Sequence, residues 1–224
     1  MIRVAINGFG RIGRSFFRSI FNNKKFKIVV INDLSDLKVL SHLLKYDSIH
    51  GRFPEKLSHD EKNLIIGEKK IPVINYSKIE LIPWKEYNVD LVIEATGKYL
   101  TGPYLKKHIK SGAKKVILSA PPKDKSIKTI VLGVNGGIIN KSDLIISNAS
   151  CTTNCAAPMI KILNDSFDIE KAYVTTVHSY TTDQNLHDSN HHDLRRARSA
   201  PNSIIPTTTG AAKALSNIFP KMNI

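Results

Sequence analysis

Two cysteines stand four residues apart in the run Ser147-Asn148-Ala149-Ser150-Cys151-Thr152-Thr153-Asn154-Cys155, where an apolar stretch gives way to a helical pattern. A thiol at a helix N-terminus feels the positive end of the peptide dipoles, which favours the nucleophilic thiolate. Ser150, Thr152 and Thr153 surround Cys151 with hydroxyls suited to a phosphate or an oxyanion. Cys155, one turn further along, reads as a small buried residue. A thiolate nucleophile wants an imidazole partner. Among the eight histidines, His178 stands out because it ends the apolar run Ala172 to Val177 at the border of a polar segment. The residues alone leave that pairing open. His59, His187, His191 and His192 lie in polar segments and read as solvated. Two cysteines make no disulfide framework, and with no second ligand pair at metal-site spacing they make a poor zinc site.

A second constellation lies at the start of the chain. Asn7-Gly8-Phe9-Gly10-Arg11-Ile12-Gly13 carries G-x-G-x-x-G at Gly8, Gly10 and Gly13, directly between a strand-like run and a helical pattern. Glycines there permit a tight turn, close backbone approach to a pyrophosphate and close helix packing, while the helix N-terminus offers N–H groups to the anion. Asp33 follows at the end of the next strand-like run, twenty residues beyond Gly13, where an acid binds an adenosine ribose. Its charge would repel a 2′-phosphate, so the expected cofactor is NAD rather than NADP.

The elements that must position these groups alternate. Arg3 to Ile6, Lys27 to Ile31, Val89 to Ala95, Val116 to Ser119, Ile130 to Gly133 and Leu144 to Ser147 read as buried strands. Helices are predicted over Ile12 to Phe21, with an apolar stripe of Ile12, Phe16, Phe17 and Ile20, over Leu37 to Leu44 with Asp36 as N-cap, and over Thr101 to Ser111. Phe53 to Ile74 reads as short strands with a hairpin signal at Gly67-Glu68. Such alternation predicts an open, mostly parallel, doubly wound α/β sheet over residues 1–150. Residues 151–224 differ: a helix from Cys151 to Phe167, a long strand from Lys171 to Val177, an aperiodic His- and Arg-rich loop from Asp183 to Ser199, and a helix from Gly210 to Phe219. An irregular segment of that length is usually a functional loop.

Composition narrows the class. With 224 residues, 42% hydrophobic and 23% charged, the chain suits one large or two modest globular domains. It contains no run long enough to span a membrane, and its start lacks the order of a signal peptide, so a cytoplasmic location is the default expectation. The formal charge of +14 raises nucleic acid as a partner, but the lysines and arginines are scattered without interleaved aromatic residues. A solvated basic surface that favours anionic ligands is the simpler reading.

The cysteine run resembles the active-site signature of the glyceraldehyde-3-phosphate dehydrogenases, and Ile6 to Arg14 resembles the opening of the same family. Lys45-Tyr46-Asp47-Ser48, Glu94-Ala95-Thr96-Gly97, Thr176-Val177-His178, Asp193 to Arg198 and Ile205 to Lys213 extend the likeness collinearly along the chain. The resemblance implies a Rossmann-type dinucleotide-binding domain over residues 1–150, followed by an incomplete α+β catalytic domain over residues 151–224. It implies that Cys151 attacks the aldehyde of glyceraldehyde 3-phosphate, with His178 as its base, giving a thioester that inorganic phosphate cleaves to 1,3-bisphosphoglycerate. Asn7, Gly8, Gly10, Arg11, Ile12, Gly13, Asp33, Thr96, Gly97 and Ser119 would hold NAD. Ser150, Thr152, Thr209 and Gly210 would serve the attacking phosphate, and Thr181 and Arg195 the phosphate of the substrate. The loop Asp183 to Ser199 matches a segment that packs between subunits, implying a homotetramer.

Three departures stand against this pattern. The family is longer, so part of the catalytic domain is expected to be missing, including a further phosphate-binding arginine and an asparagine that fixes the nicotinamide, and residues 1–224 alone are expected to bind NAD weakly and turn over little or nothing. Ser77-Lys78 displaces a cofactor-contacting basic residue, and Asn190 replaces a proline common in NAD-specific members. Two other functions share features with this chain. Erythrose-4-phosphate dehydrogenases share the cysteine and histidine but differ around the phosphate loop, and a truncated relic binding NAD or nucleic acid would have no reason to keep Cys151 and His178.

Overall fold

A computed structural model describes residues 1–223. Two compact units divide between Ser150 and Cys151. The first contains β1 (Ile2–Asn7), α1 (Arg11–Ile20), β2 (Phe26–Asn32), α2 (Leu37–Lys45), β3 (Leu57–His59), β4 (Asn63–Ile66), β5 (Lys69–Ile74), β6 (Leu91–Glu94), α3 (Gly102–Lys110), β7 (Lys115–Leu118), β8 (Lys128–Thr129) and β9 (Ile145–Ser147). Among the described residues these strands form one sheet in the order β3-β4-β5-β2-β1-β6-β7-β9-β8. From β5 to β8 every pairing is parallel, and β3, β4 and β5 form an antiparallel flap. The strand order reverses at β1 and β6, and a sheet of this kind opens its ligand crevice at that switch point.

Period-two alternation explains why both faces are covered. Val4, Ile6 and Ile93 point into a core with Phe17, Leu40, Leu44 and Phe53, whereas Ala5 and Val92 point into a second core with Trp84, Leu105 and Leu118. Helices α1 and α2 contribute to the first core and α3 to the second, so the sheet is wound on both sides as the sequence implies. The Asp36 carboxylate caps α2 by accepting the Lys38 N–H at 2.7 Å. Ile12 departs from its expected place in the apolar stripe: at the first turn of α1 it is half exposed, and Phe17 and Ile20 carry the packing. The strand expected over Ile130 to Gly133 is not formed; β8 ends at Thr129, before that run begins. The Asn135 side chain accepts the Val131 N–H and donates to the Thr129 carbonyl, folding that run into a turn.

The second unit comprises α4 (Cys151–Phe167), a 3-10 turn at Ala200–Asn202 and α5 (Ala211–Ile218). The strand expected over Lys171 to Val177 is not formed. A lone parallel bridge joins Lys171 to Asn223, and Tyr173 and Val177 are fully exposed at 101% and 102%. An extended segment becomes a strand only when a neighbour accepts its ladder hydrogen bonds, and no such neighbour lies among the described residues. The sheet of an α+β domain is accordingly absent from the described part of this unit. The loop from Asp183 to Ser199 is closed on itself instead: Arg196 reaches the Asp183 carboxylate, the Thr207 hydroxyl and the Thr208 carbonyl.

Candidate active site

The glycine turn joins β1 to α1 at the switch point. Gly8 has φ +92°, and a Cβ there would lie 2.7 Å from the Thr96 nitrogen, so the turn and the residues after β6 touch through bare backbone. A Cβ at Gly13 would overlap the Gly8 carbonyl oxygen. Gly10 meets nothing, so its bare surface faces open space at the start of α1. Between these glycines, the fully buried Phe9 ring packs edge-on against Phe17 at 5.5 Å and ties the turn to the core.

A cleft of about 290 Å³ opens over this turn, lined in part by Asn7, Gly8, Gly10, Asp33 and Thr96. Five of the residues expected to bind a cofactor are therefore neighbours in one place. The Asp33 carboxylate accepts the Phe9 N–H at 2.6 Å and the Ser35 N–H at 2.8 Å, which holds the acid at the cleft. Arg11, Ile12 and Gly13 form the first turn of α1, where backbone N–H groups have no intrahelical acceptor. The Arg11 guanidinium is occupied by the Asp47 carboxylate at 2.5 Å, which leaves the backbone as its contribution to an anion. Gly97 follows Thr96 directly, and Ser119, just after β7, donates its N–H to the Glu94 carbonyl at 3.0 Å. The cleft also brings in Asn32, Tyr76 and Tyr99, which the sequence did not single out. Their only signal was position, since Asn32 ends a parallel strand and Tyr76 closely follows one. Open backbone at Gly10, helix N–H groups and an acid at the adjoining strand end fit a dinucleotide.

The second unit holds the sulfur chemistry. Cys151 is the first residue of α4 and is exposed, and its Sγ lies 3.4 Å from His178 Nε2. The other ring nitrogen, Nδ1, lies 2.6 Å from the Ser179 carbonyl, which can only accept, so Nδ1 carries a proton and Nε2 faces the sulfur. Burial pushes the Cys151 thiol up, but hydrogen bonds from His178, the Thr152 hydroxyl and the Thr152 N–H outweigh it and hold the thiol below its ordinary value. The Ser179 carbonyl and the sulfur both favour the imidazolium and raise His178. A low thiol beside a raised imidazole is a poised nucleophile with a proton carrier. Cys155 is exposed rather than buried, on the same uncovered side of α4 as Met159 and Ile162.

The expected phosphate ligands are less uniform. Ser150 and Thr152 flank Cys151, and Gly210 caps α5 with the Thr209 hydroxyl accepting the Ala211 N–H at 3.2 Å. Thr181 opens the turn that Gln184 closes, accepting the Asp183 N–H through its hydroxyl. The Arg195 guanidinium lies against both oxygens of Asp193, at 3.1 and 2.9 Å, so a phosphate there competes with a carboxylate already in place.

Comparison with known proteins covers both units. The family model described as glyceraldehyde 3-phosphate dehydrogenase, NAD binding domain, matches residues 2–102, and the C-terminal domain of the same family matches residues 150–224. Similar proteins include the glyceraldehyde-3-phosphate dehydrogenases of Mycoplasma pneumoniae (52% identical over 96% of this chain and 64% of that protein), Geobacillus stearothermophilus (50%, 99% and 66%) and Mycolicibacterium smegmatis (49%, 99% and 67%). The chain spans about two thirds of the length of these curated relatives. With its glycine turn, its cysteine at the head of α4 and the likeness running through both units, the chain belongs to the glyceraldehyde-3-phosphate dehydrogenase family.

Proposed function

We propose that this chain carries the catalytic cysteine and the NAD site of a phosphorylating glyceraldehyde-3-phosphate dehydrogenase. The observation that carries the reading is the 3.4 Å approach of Cys151 Sγ to His178 Nε2 at the start of α4. The thiolate adds to the aldehyde carbon and the imidazolium proton on His178 Nε2 passes to the new oxygen, giving a thiohemiacetal; Nε2 then takes that hydroxyl proton back as the carbon is oxidised. Bound NAD supplies the hydride acceptor. The resulting thioester on Cys151 is opened by inorganic phosphate, which releases the acyl phosphate and restores the thiolate.

The cofactor would be held by Asn7, Gly8, Gly10, Asp33 and Thr96 in the cleft, with the Arg11, Ile12 and Gly13 N–H groups directed to its diphosphate and with Gly97 and Ser119 nearby. The Asp33 charge favours a free ribose over a 2′-phosphate. Ser150, Thr152, Thr209 and Gly210 would receive the attacking phosphate, and Thr181 and Arg195 the substrate phosphate, Arg195 exchanging Asp193 for it. A homotetramer in the cytoplasm is the assembly this reading carries; no helix among the described residues is long and apolar enough to cross a membrane.

The test asks for a single acylation rather than turnover: the chain is incubated at length with saturating NAD and glyceraldehyde 3-phosphate without inorganic phosphate, and Cys151 is followed by peptide mass spectrometry. A three-carbon acyl adduct on Cys151, released on adding phosphate, is the expected result. An unmodified Cys151 in protein that binds NAD refutes the assignment.

A further inference from the structure

Beneath the cleft lies a polar cluster that the reaction itself does not use. Glu94, at the end of β6, is 0% exposed and does not line the cleft, yet its carboxylate receives four hydrogen bonds. Oε2 accepts from Asn7 Nδ2 at 2.6 Å and faces His108 Nε2 at 2.9 Å. Oε1 accepts from the Thr96 N–H at 2.9 Å and the Thr96 hydroxyl at 2.5 Å. The tautomer of His108 follows from its other neighbour. Trp84 Nε1, an obligate donor, reaches His108 Nδ1 at 2.9 Å, so Nδ1 accepts and Nε2 carries the proton given to Glu94. The cluster continues on the other side: Asn32 Nδ2 donates to Asn7 Oδ1 at 2.7 Å, and Asn32 Oδ1 accepts the Tyr76 N–H at 2.8 Å.

Two of the residues that Glu94 grips line the cleft on opposite sides of a backbone contact. Asn7 leads into Gly8, and Thr96 presents the nitrogen that lies 2.7 Å from the site of a Gly8 Cβ. One buried carboxylate thus fixes the spacing between the glycine turn and the end of β6. We propose that Glu94 is a positioning residue for the diphosphate-binding turn, with His108 locking it from α3; this rests on the dinucleotide reading given above. A carboxylate is needed because all four groups are donors. In Glu94→Gln the amide NH2 faces two of them whichever way it turns, leaving buried donors unpaired.

Calorimetric titration of the full 224-residue chain with ADP-ribose, and separately with adenosine, tests this. Glu94→Gln is expected to weaken ADP-ribose about tenfold while adenosine, held at the Asp33 end of the cleft, changes less than about twofold. His108→Leu removes one donor from outside the cleft and is expected to cost about threefold for ADP-ribose, which His108→Gln, carrying an N–H near the former Nε2, restores. That pair carries the test if Glu94→Gln does not fold. Wild-type ADP-ribose affinity in Glu94→Gln or His108→Leu overturns the proposal, as does a parallel loss of both ligands or no recovery in His108→Gln. If the unaltered chain binds neither ligand, the dinucleotide reading itself falls, and this proposal with it.

Discussion

The sulfur of Cys151 is pulled two ways, by partial loss of solvent, which favours the thiol, and by His178 and Thr152, which favour the thiolate. The hydrogen bonds win, and the sign of the pH dependence follows. An anionic sulfur and a cationic ring stabilise each other, which lowers the thiol and raises the imidazole. Falling pH returns the proton to sulfur, and rising pH removes it from the ring; the two shifts draw these steps towards each other and so favour the paired form. Alkylation of Cys151 by iodoacetamide should therefore reach half its maximal rate below the ordinary thiol value of about 8.5. Replacing His178 with alanine removes the hydrogen bond and the charge together. The midpoint is then expected to move up towards the ordinary value, and the rate at pH 7 to fall about tenfold. A profile unchanged by His178→Ala would show that the 3.4 Å approach has no electrostatic consequence. Cys155, exposed one turn further along the same helix, supplies the internal comparison.

At the scale of elements, the three glycines of the first turn do different work, and substitution separates them. A methyl at Gly13 collides with the Gly8 carbonyl, backbone against backbone, so Gly13→Ala must move α1 away from β1. It is expected to lower stability by about 2–4 kcal/mol in urea unfolding. A methyl at Gly10 meets no protein atom, and φ of −70° suits alanine, so Gly10→Ala should unfold like the parent chain. What it fills is the space a diphosphate would enter, so ADP-ribose binding is expected to weaken about tenfold at unchanged stability. Equal binding by Gly10→Ala and the parent would remove the turn from the site. These positions were legible in the sequence because spacing and element order coincide there: strand, glycines, helix, then an acid at the next strand end. The same holds for Cys151 at the head of α4. Glu94 and His108 were not legible as a pair, since they meet only after β6 and α3 pack, and neither type nor spacing announces a buried hydrogen bond fourteen residues apart. Nor was the run Lys171 to Val177, whose apolar pattern is that of a strand but whose hydrogen bonds depend on a neighbour elsewhere in the fold.

Across the whole molecule, the two units differ in what holds them. The first buries two cores against one continuous sheet, and its connections are tied by side chains: Asp124 accepts the Gly102 N–H at the start of α3, and Lys128 pairs with Asp143 at 2.9 Å. In the second, α4 and α5 enclose a small apolar set that includes Ala157 and Leu215, while Phe167, Tyr173, Val177 and Ile204 stand exposed. Local opening requires least free energy where few apolar contacts must be broken, and proteases cut where backbone can open. Lys171 and the loop arginines Arg195, Arg196 and Arg198 lie in that unit, where the arginines form ion pairs with Asp183, Asp188 and Asp193 at the surface. Such pairs contribute little and weaken with salt. Limited trypsin digestion is accordingly expected to cut first between Lys171 and Arg198, at least about tenfold faster than anywhere before Cys151. The resistant product should contain all of residues 1–150, and raising the salt should speed the first cut without exposing that product. Adding ADP-ribose should protect the product further, because a ligand held by the glycine turn stabilises only the unit that contains it. A first cut within residues 1–150 would contradict this ordering of stabilities, and protection of the Lys171 to Arg198 segment by ADP-ribose, with none of residues 1–150, would place the ligand outside the cleft above Gly10.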